Sequence, residues 1–235
     1  MIALIAVTIL AGVILSRMFS KSIEFGLLTG GAVAICGASA ALALSSVLPK
    51  SEEMRRDTLF TVAAVTALST VAMIVYPILF QALGFSEESV GVLLGATIHD
   101  VAQVIGAGFA VSDEAGEIAT YVKLLRVACL RVVVLTYALM MQNRMGTKAT
   151  SSFPWFAVGF VIILVSNSFG FIPETVATLM NWSSQWLLVG AIAALGVKTS
   201  LKSMLALGPT HLGLVVAETL ILCALAATSI FFIQS

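Results

Sequence analysis

Charge is what this sequence has least of. Lys, Arg, Asp and Glu make up 10% of its 235 residues and 60% are hydrophobic, against roughly 25% charged and 45–50% apolar in a soluble domain. The chain is therefore no ordinary soluble globular protein. The 12 basic and 12 acidic residues cancel, with no basic tail or block, so no nucleic-acid partner is expected. Cys36, Cys129 and Cys223 are odd in number, far apart and set in apolar segments. They form neither a disulfide framework nor a metal site. No GxxxxGK[ST] loop occurs, which excludes a nucleotide-driven motor within the chain. The apolar runs are continuous and do not alternate with period two, which excludes a β-barrel. The opening MIALIAVTILAGVILSR lacks the basic n-region and small-residue cleavage site of a signal peptide and reads as a short membrane helix.

What remains is apolar length. Mean hydropathy is +1.08, and several stretches approach the ~20 residues that a spanning helix needs. The expected fold is an all-α polytopic membrane protein, a single transmembrane domain over 1–235 with about eight membrane segments. These cover 2–16, 26–48, 58–82, 88–110, 114–141, 153–170, 175–197 and 210–233, with 49–57 as a polar loop and 153–233 as C-terminal helices. A bacterial cytoplasmic (inner) membrane is the expected location.

Two of these segments are interrupted. In 26–48 the interruption is Cys36-Gly37-Ala38-Ser39; in 88–110 it is a polar centre of Thr97, His99, Asp100 and Gln103 among glycines. Polar side chains at membrane depth are functional candidates by default. The basic loops are 17–24, 49–57, 142–152 and 198–203, whereas 84–88, 111–117 and 171–175 contain no Lys or Arg. If every segment spans, the basic loops 17–24 and 49–57 fall on opposite sides. If 26–48 and 88–110 each enter and leave on one side, all four basic loops become cytoplasmic. The second arrangement fits the charges better, although fully spanning helices packed through small residues stay open. Each broken segment precedes a long helix, so 26–82 and 88–141 read as two inverted repeat units, the plan of many secondary transporters.

Five stretches carry a family resemblance: ICGASA (35–40), GATIHDVAQVIGAGFAVS (95–112), KLLRVACL (123–130), FPWFAVGFVIILVSNSFGFIPE (153–174) and AALGVKTSLKSMLALG (193–208). In order and spacing over about 23–233, the chain resembles the YeiH-like family of bacterial membrane proteins, whose members are assigned as sulfate exporters. That plan is similar to the bile acid and arsenite transporter superfamily, in which broken helices cross between inverted repeats, a likeness by analogy. The resemblance implies an N-terminally short member lacking the repeat partner of 193–203. A homo-oligomer or a partner membrane chain would then complete it. Asp100 stands where the family commonly has Glu, and the proline often found soon after KxLRV is absent here.

The residues suggest distinct roles. Cys36, Gly37, Ala38 and Ser39 would open backbone N–H groups toward an oxyanion at a half-helix N-terminus; a small-residue packing motif is the plainer reading. His99 and Asp100, adjacent and about 100° apart on a helix, are candidates for binding and for proton coupling, as is Glu218 for the latter. Asp100 and Gln103 share a face. HDVAQ is superficially like HExxH, but Gln103 replaces the second histidine, so no metal and no zinc hydrolase is expected. Lys123 and Arg126 lie three apart on one helix, with Arg126 near mid-bilayer, where it needs a carboxylate, a carbonyl or a solvated anion; both are expected to bind the substrate, the planar fork of Arg126 suiting sulfate or a carboxylate. The expected function is a secondary transporter of a small anion, sulfate or a related oxyanion or sulfonate, coupled to protons and without a cofactor. The alternatives are a non-transporting subunit beside a partner chain and an intramembrane enzyme, for which no nucleophile or metal shell is identifiable by spacing.

Overall fold

The computed structural model describes residues 1–145 and 209–234, with scattered positions between 162 and 190. The chain divides into two units, Met1–Ser151 with Thr199–Ser235, and Ser152–Lys198. Among the described residues every regular element is helical. In the first unit these are α1 (Ile2–Met18), α2 (Ile23–Ala34), α3 (Ala38–Ser45), α4 (Glu52–Ala82), α5 (Glu87–Thr97), α6 (Val101–Phe109), α7 (Asp113–Met145) and α8 (Pro209–Gln234). Among the described residues two spans, Glu52–Ala82 and Thr210–Phe232, are long and apolar enough to cross a membrane. In the second unit the described positions include a helical run at 175–180 and the ring pairs Phe169–Phe171 and Trp182–Trp186. Residues 146–161 and 191–208, which hold the expected repeat element 193–203, the basic loop 198–203 and the later part of the basic loop 142–152, lie outside the described residues; 142–145 belong to α7.

Serines followed by acidic residues set three of the helix starts. Ser22, Ser51 and Ser86 accept from the backbone N–H groups of Phe25, Met54 and Ser89, with Glu24, Glu52–Glu53 and Glu87–Glu88 in the first turns. A hydroxyl cap and acidic residues both favour a helix N-terminus. This corrects the expected polar loop 49–57. Helix α4 begins at Glu52, because the Ser51 cap outweighs the polar composition of the segment.

Both interrupted segments are broken where expected. After α2 the chain turns through Ile35 and Gly37, the latter at φ 62° and ψ −120°, a region that glycine enters without steric cost. After α5, Ile98 and Asp100 are extended. The break between α5 and α6 is a hairpin. Gly91 and Gly95 of α5 pack against Ala115 and then Ala119 of α7, so α5 advances with α7. Gly108 of α6 packs against Gly116, while the tip carbonyl of Ile98 reaches Lys123, so α6 runs back against α7. The α2–α3 pair also folds on itself: Gly31 faces the Leu44 side chain, and Gly37 at the tip lies against Val65, well along α4.

The ends of the unit differ in charge. Lys21, Arg55, Arg56, Asp57 and His211 line one hollow, which places the basic loops 17–24 and 49–57 at the same end. At the opposite end Tyr76 and Phe80 of α4 pack with Val90 of α5 and Ala226 of α8. Helix α8 joins the two ends, starting where His211 meets Asp57 at 3.4 Å and Phe25 edge-on. In an otherwise cysteine-free chain, Ser20→Cys and Lys50→Cys are expected to react with an impermeant thiol reagent from the same face of sealed vesicles, and Ser112→Cys from the other. Labelling of the first two from opposite faces contradicts this arrangement.

Candidate functional site

The two hairpin tips meet beside α4 and α7. The last turn of an α-helix leaves carbonyls unpaired at the negative end of its dipole, and α2 and α5 both end inside the unit. Two cations from α7 meet those carbonyls. Lys123 Nζ donates to the carbonyls of Ile35 and Ile98, both at 2.8 Å. Arg126 donates from Nε to Ala34 at 3.1 Å and from Nη2 to Val33 and Ala34 at 3.0 and 2.8 Å. From Nη1 it reaches Gly95 and Ile98 at 3.1 and 3.4 Å. These bonds engage all five N–H donors of a guanidinium. Both cations are fully buried. Of the three partners open to Arg126 from sequence, the structure shows carbonyls, from both hairpins at once.

The opposite halves of the breaks begin nearby. Along α4, Val65 touches Gly37 at the start of α3, and the Ser69 hydroxyl accepts from the N–H groups of His99 and Asp100 at the start of α6. Four residues of α4 separate them, about 6 Å of helix. The two helix starts differ in one respect. Asp100 caps α6, its Oδ1 accepting from Ala102 and Gln103, whereas the N-cap of α3 is Gly37, which has no side chain, and only the Cys36 thiol meets the Ala40 backbone and Ser39. Ser39, in the first turn of α3, is exposed, and Ala38 is half-buried. The α3 N-terminus thus presents partial positive charge on an accessible face.

Other expected residues fall as follows. Cys36 is buried against Ile5 and Val127. Thr97 gives its hydroxyl to the Leu93 carbonyl at 2.6 Å. Gln103 is buried and donates to Thr70 at 2.9 Å. His99 is buried, with Nε2 3.1 Å from Thr219 Oγ1. Thr219 spends its only hydrogen on the Val215 carbonyl at 2.8 Å, so this contact requires the proton on Nε2. Glu218 lies 2.8 Å from Thr29 through Oε1, and its buried Oε2 has no partner. Neighbouring residues of α8 therefore touch both hairpins, Glu218 the first and Thr219 the tip of the second. Among the described residues no group of three His, Cys, Asp or Glu side chains is placed to hold a metal.

Sequence reasoning passed over Ser69, Thr70, Thr29 and Thr219, which supply the polar contacts to the tips and to Glu218. A signal was present: Thr66, Ser69 and Thr70 form a hydroxyl stripe at helical spacing within an otherwise apolar span.

The comparisons with known proteins agree with the resemblance. A family model described as Conserved hypothetical protein 698 matches residues 1–215. The UPF0324 membrane protein TauZ of Paracoccus denitrificans is 49% identical over 223 residues, 93% of this chain and 66% of that protein. The UPF0324 membrane protein CT0845 of Chlorobaculum tepidum is 45% identical over 234 residues, 98% of this chain and 65% of that one. The UPF0324 inner membrane protein YeiH of Escherichia coli is 34% identical over 194 residues, 80% of this chain and 55% of that one. The chain thus spans about two thirds of the first two relatives and about half of the third. No solved structure matches.

Proposed function

This chain belongs to the UPF0324 membrane protein family, and on that premise we propose that it is a secondary transporter of a small oxyanion in the bacterial inner membrane. The observation that carries the reading is the accessible start of α3, which has no carboxylate cap and is held one helical turn along α4 from the start of α6. Half-helix N-termini inside a membrane domain suit anionic groups. Lys123 and Arg126 hold the C-terminal halves of the breaks and keep the tips together. In this reading α2–α4 and α5–α7 are inverted repeats, each a re-entrant hairpin followed by a long helix, entered from opposite ends of the unit. The end bearing Lys21, Arg55 and Arg56 is cytoplasmic by the positive-inside rule. The substrate class is sulfate, a sulfonate or a carboxylate, with His99, Asp100 or Glu218 handling the coupled proton. The chain acts as a carrier, without catalytic chemistry.

The test is counterflow in proteoliposomes. Labelled sulfate or ethanesulfonate is expected to enter saturably and faster when the unlabelled anion is inside. Gly37→Ala should abolish entry while the protein stays monodisperse. Its new methyl would stand 3.1 Å from His99 Cβ on a backbone at φ 62°. Absence of saturable entry with the whole anion panel contradicts the proposal, and so does full transport by Gly37→Ala.

A further inference from the structure

Gln103 has a hydrogen-bonding requirement that the protein leaves unmet. The side chain is 1% exposed, in the first turn of α6. Its Nε2 donates to Thr70 Oγ1 at 2.9 Å, while Thr70 donates its own hydrogen to the Thr66 carbonyl at 3.0 Å. Thr70 can therefore only accept, and the amide must present its NH2 to Thr70. Exchanging the amide's nitrogen and oxygen would place two acceptors face to face. The carbonyl Oε1 is thereby left buried with no partner. An orphaned buried acceptor costs free energy until a donor reaches it.

One neighbour at the same helix start, Asp100, favours a donor that carries charge, although Lys123 and Arg126 hold the Ile98 carbonyl close by. Asp100, half-buried at the same helix start, uses one oxygen, Oδ1, for the α6 cap. The start of α6 thus offers a carboxylate and an orphaned carbonyl, both acceptors. The start of α3, about one turn away along α4, offers backbone donors and no carboxylate cap. Opposite demands so close together fit a molecule with an oxyanion at one end and an ammonium at the other.

We propose that the solute site takes amino-substituted oxyacids, zwitterions whose sulfonate or carboxylate meets the α3 N-terminus and whose ammonium meets Gln103 Oε1 and Asp100. This rests on the oxyanion reading above and adds the recognition of the second group. A bare oxyanion satisfies α3 and leaves Gln103 Oε1 unpaired.

The experiment measures binding to the purified full chain with matched pairs, ethanesulfonate against 2-aminoethanesulfonate and propanoate against 3-aminopropanoate. Ordinary charge attraction to a positive site favours the plain anions, so preference for the neutral zwitterions is diagnostic. The expected preference is about tenfold, the size of one charge-assisted hydrogen bond. Gln103→Leu should cut this preference several-fold, read as the ratio of the paired affinities. Asp100→Asn keeps a capping oxygen for α6 and should weaken the zwitterions alone, which covers the case in which Gln103→Leu fails to fold. Saturable binding of plain and aminated members with equal affinity overturns the zwitterion assignment and leaves the oxyanion site standing. Saturable binding by neither overturns both.

Discussion

Arg126→Leu is expected to destabilise the folded protein severely in detergent. The side chain engages the carbonyls of Val33, Ala34, Gly95 and Ile98, all buried within the unit. Leucine supplies none of these donors, and neither water nor another cation can replace them without opening the tips. Breaking one buried charged interaction typically costs 3–5 kcal/mol. Here one side chain ties two hairpins to α7, so on the order of 5 kcal/mol is expected, a large part of the 5–15 kcal/mol that holds a typical domain together. Arg126→Lys should recover only part of the loss, because a single ammonium has three donors and no planar fork. Thermal unfolding followed by fluorescence size-exclusion would show Leu lowest, Lys intermediate and wild type highest. A well-folded Arg126→Leu that has merely lost anion binding would mean that the guanidinium belongs to the solute and not to the hairpins.

Gly12→Ala should destabilise the chain by about 3 kcal/mol, the upper part of the usual range for overpacking. Helices α1 and α2 approach so closely that a methyl at Gly12 would stand 2.7 Å from the Gly26 carbonyl oxygen and 2.8 Å from Gly30 Cα. It would also stand 2.7 Å from Glu218 Oε1. Two of these three contacts are backbone and cannot swing away. Relief there requires separating α1 from α2, and the Glu218 carboxylate that accepts from Thr29 must shift as well. Gly213→Ala is the control. Nothing lies within 4 Å of that position, and inside a helix alanine is favoured over glycine by about 0.8–1 kcal/mol. Opposite signs for the two substitutions are the expected result. Equal small effects would mean that the α1–α2 seam is looser than described.

The break at His99-Asp100 was legible in the sequence because adjacent polar residues are costly inside an apolar helix, whereas the break at Gly37 shared its small-residue signal with ordinary helix packing. The basic loops 17–24 and 49–57 carried topological information for a related reason, since Lys and Arg in short loops concentrate on the cytoplasmic side. The start of α4 was misplaced because PKSEEMRRD reads as polar loop by composition, although Ser51 and two glutamates form a readable start signal. Depth alone established that Arg126 needs a partner. It could not name the partner, because the carbonyls of Val33 and Gly95 converge only after both hairpins have packed on α7. Glu218 and Thr219 lie further from legibility. Their meaning comes from residues 189 and 120 positions away in the chain, and no local pattern encodes such a pairing.

The most direct measurement is the reactivity of Ser39→Cys in a chain otherwise free of cysteine, reconstituted in vesicles and exposed to an impermeant, negatively charged thiol reagent. Ser39 stands in the first turn of α3, beside the helix start to which the oxyanion is assigned. The expected result is modification from the aqueous phase that slows progressively to a halt as the transported anion is raised to saturation. Modification indifferent to every anion, or a cysteine that aqueous reagent never reaches, would contradict the placement of a solute site at the hairpin tips.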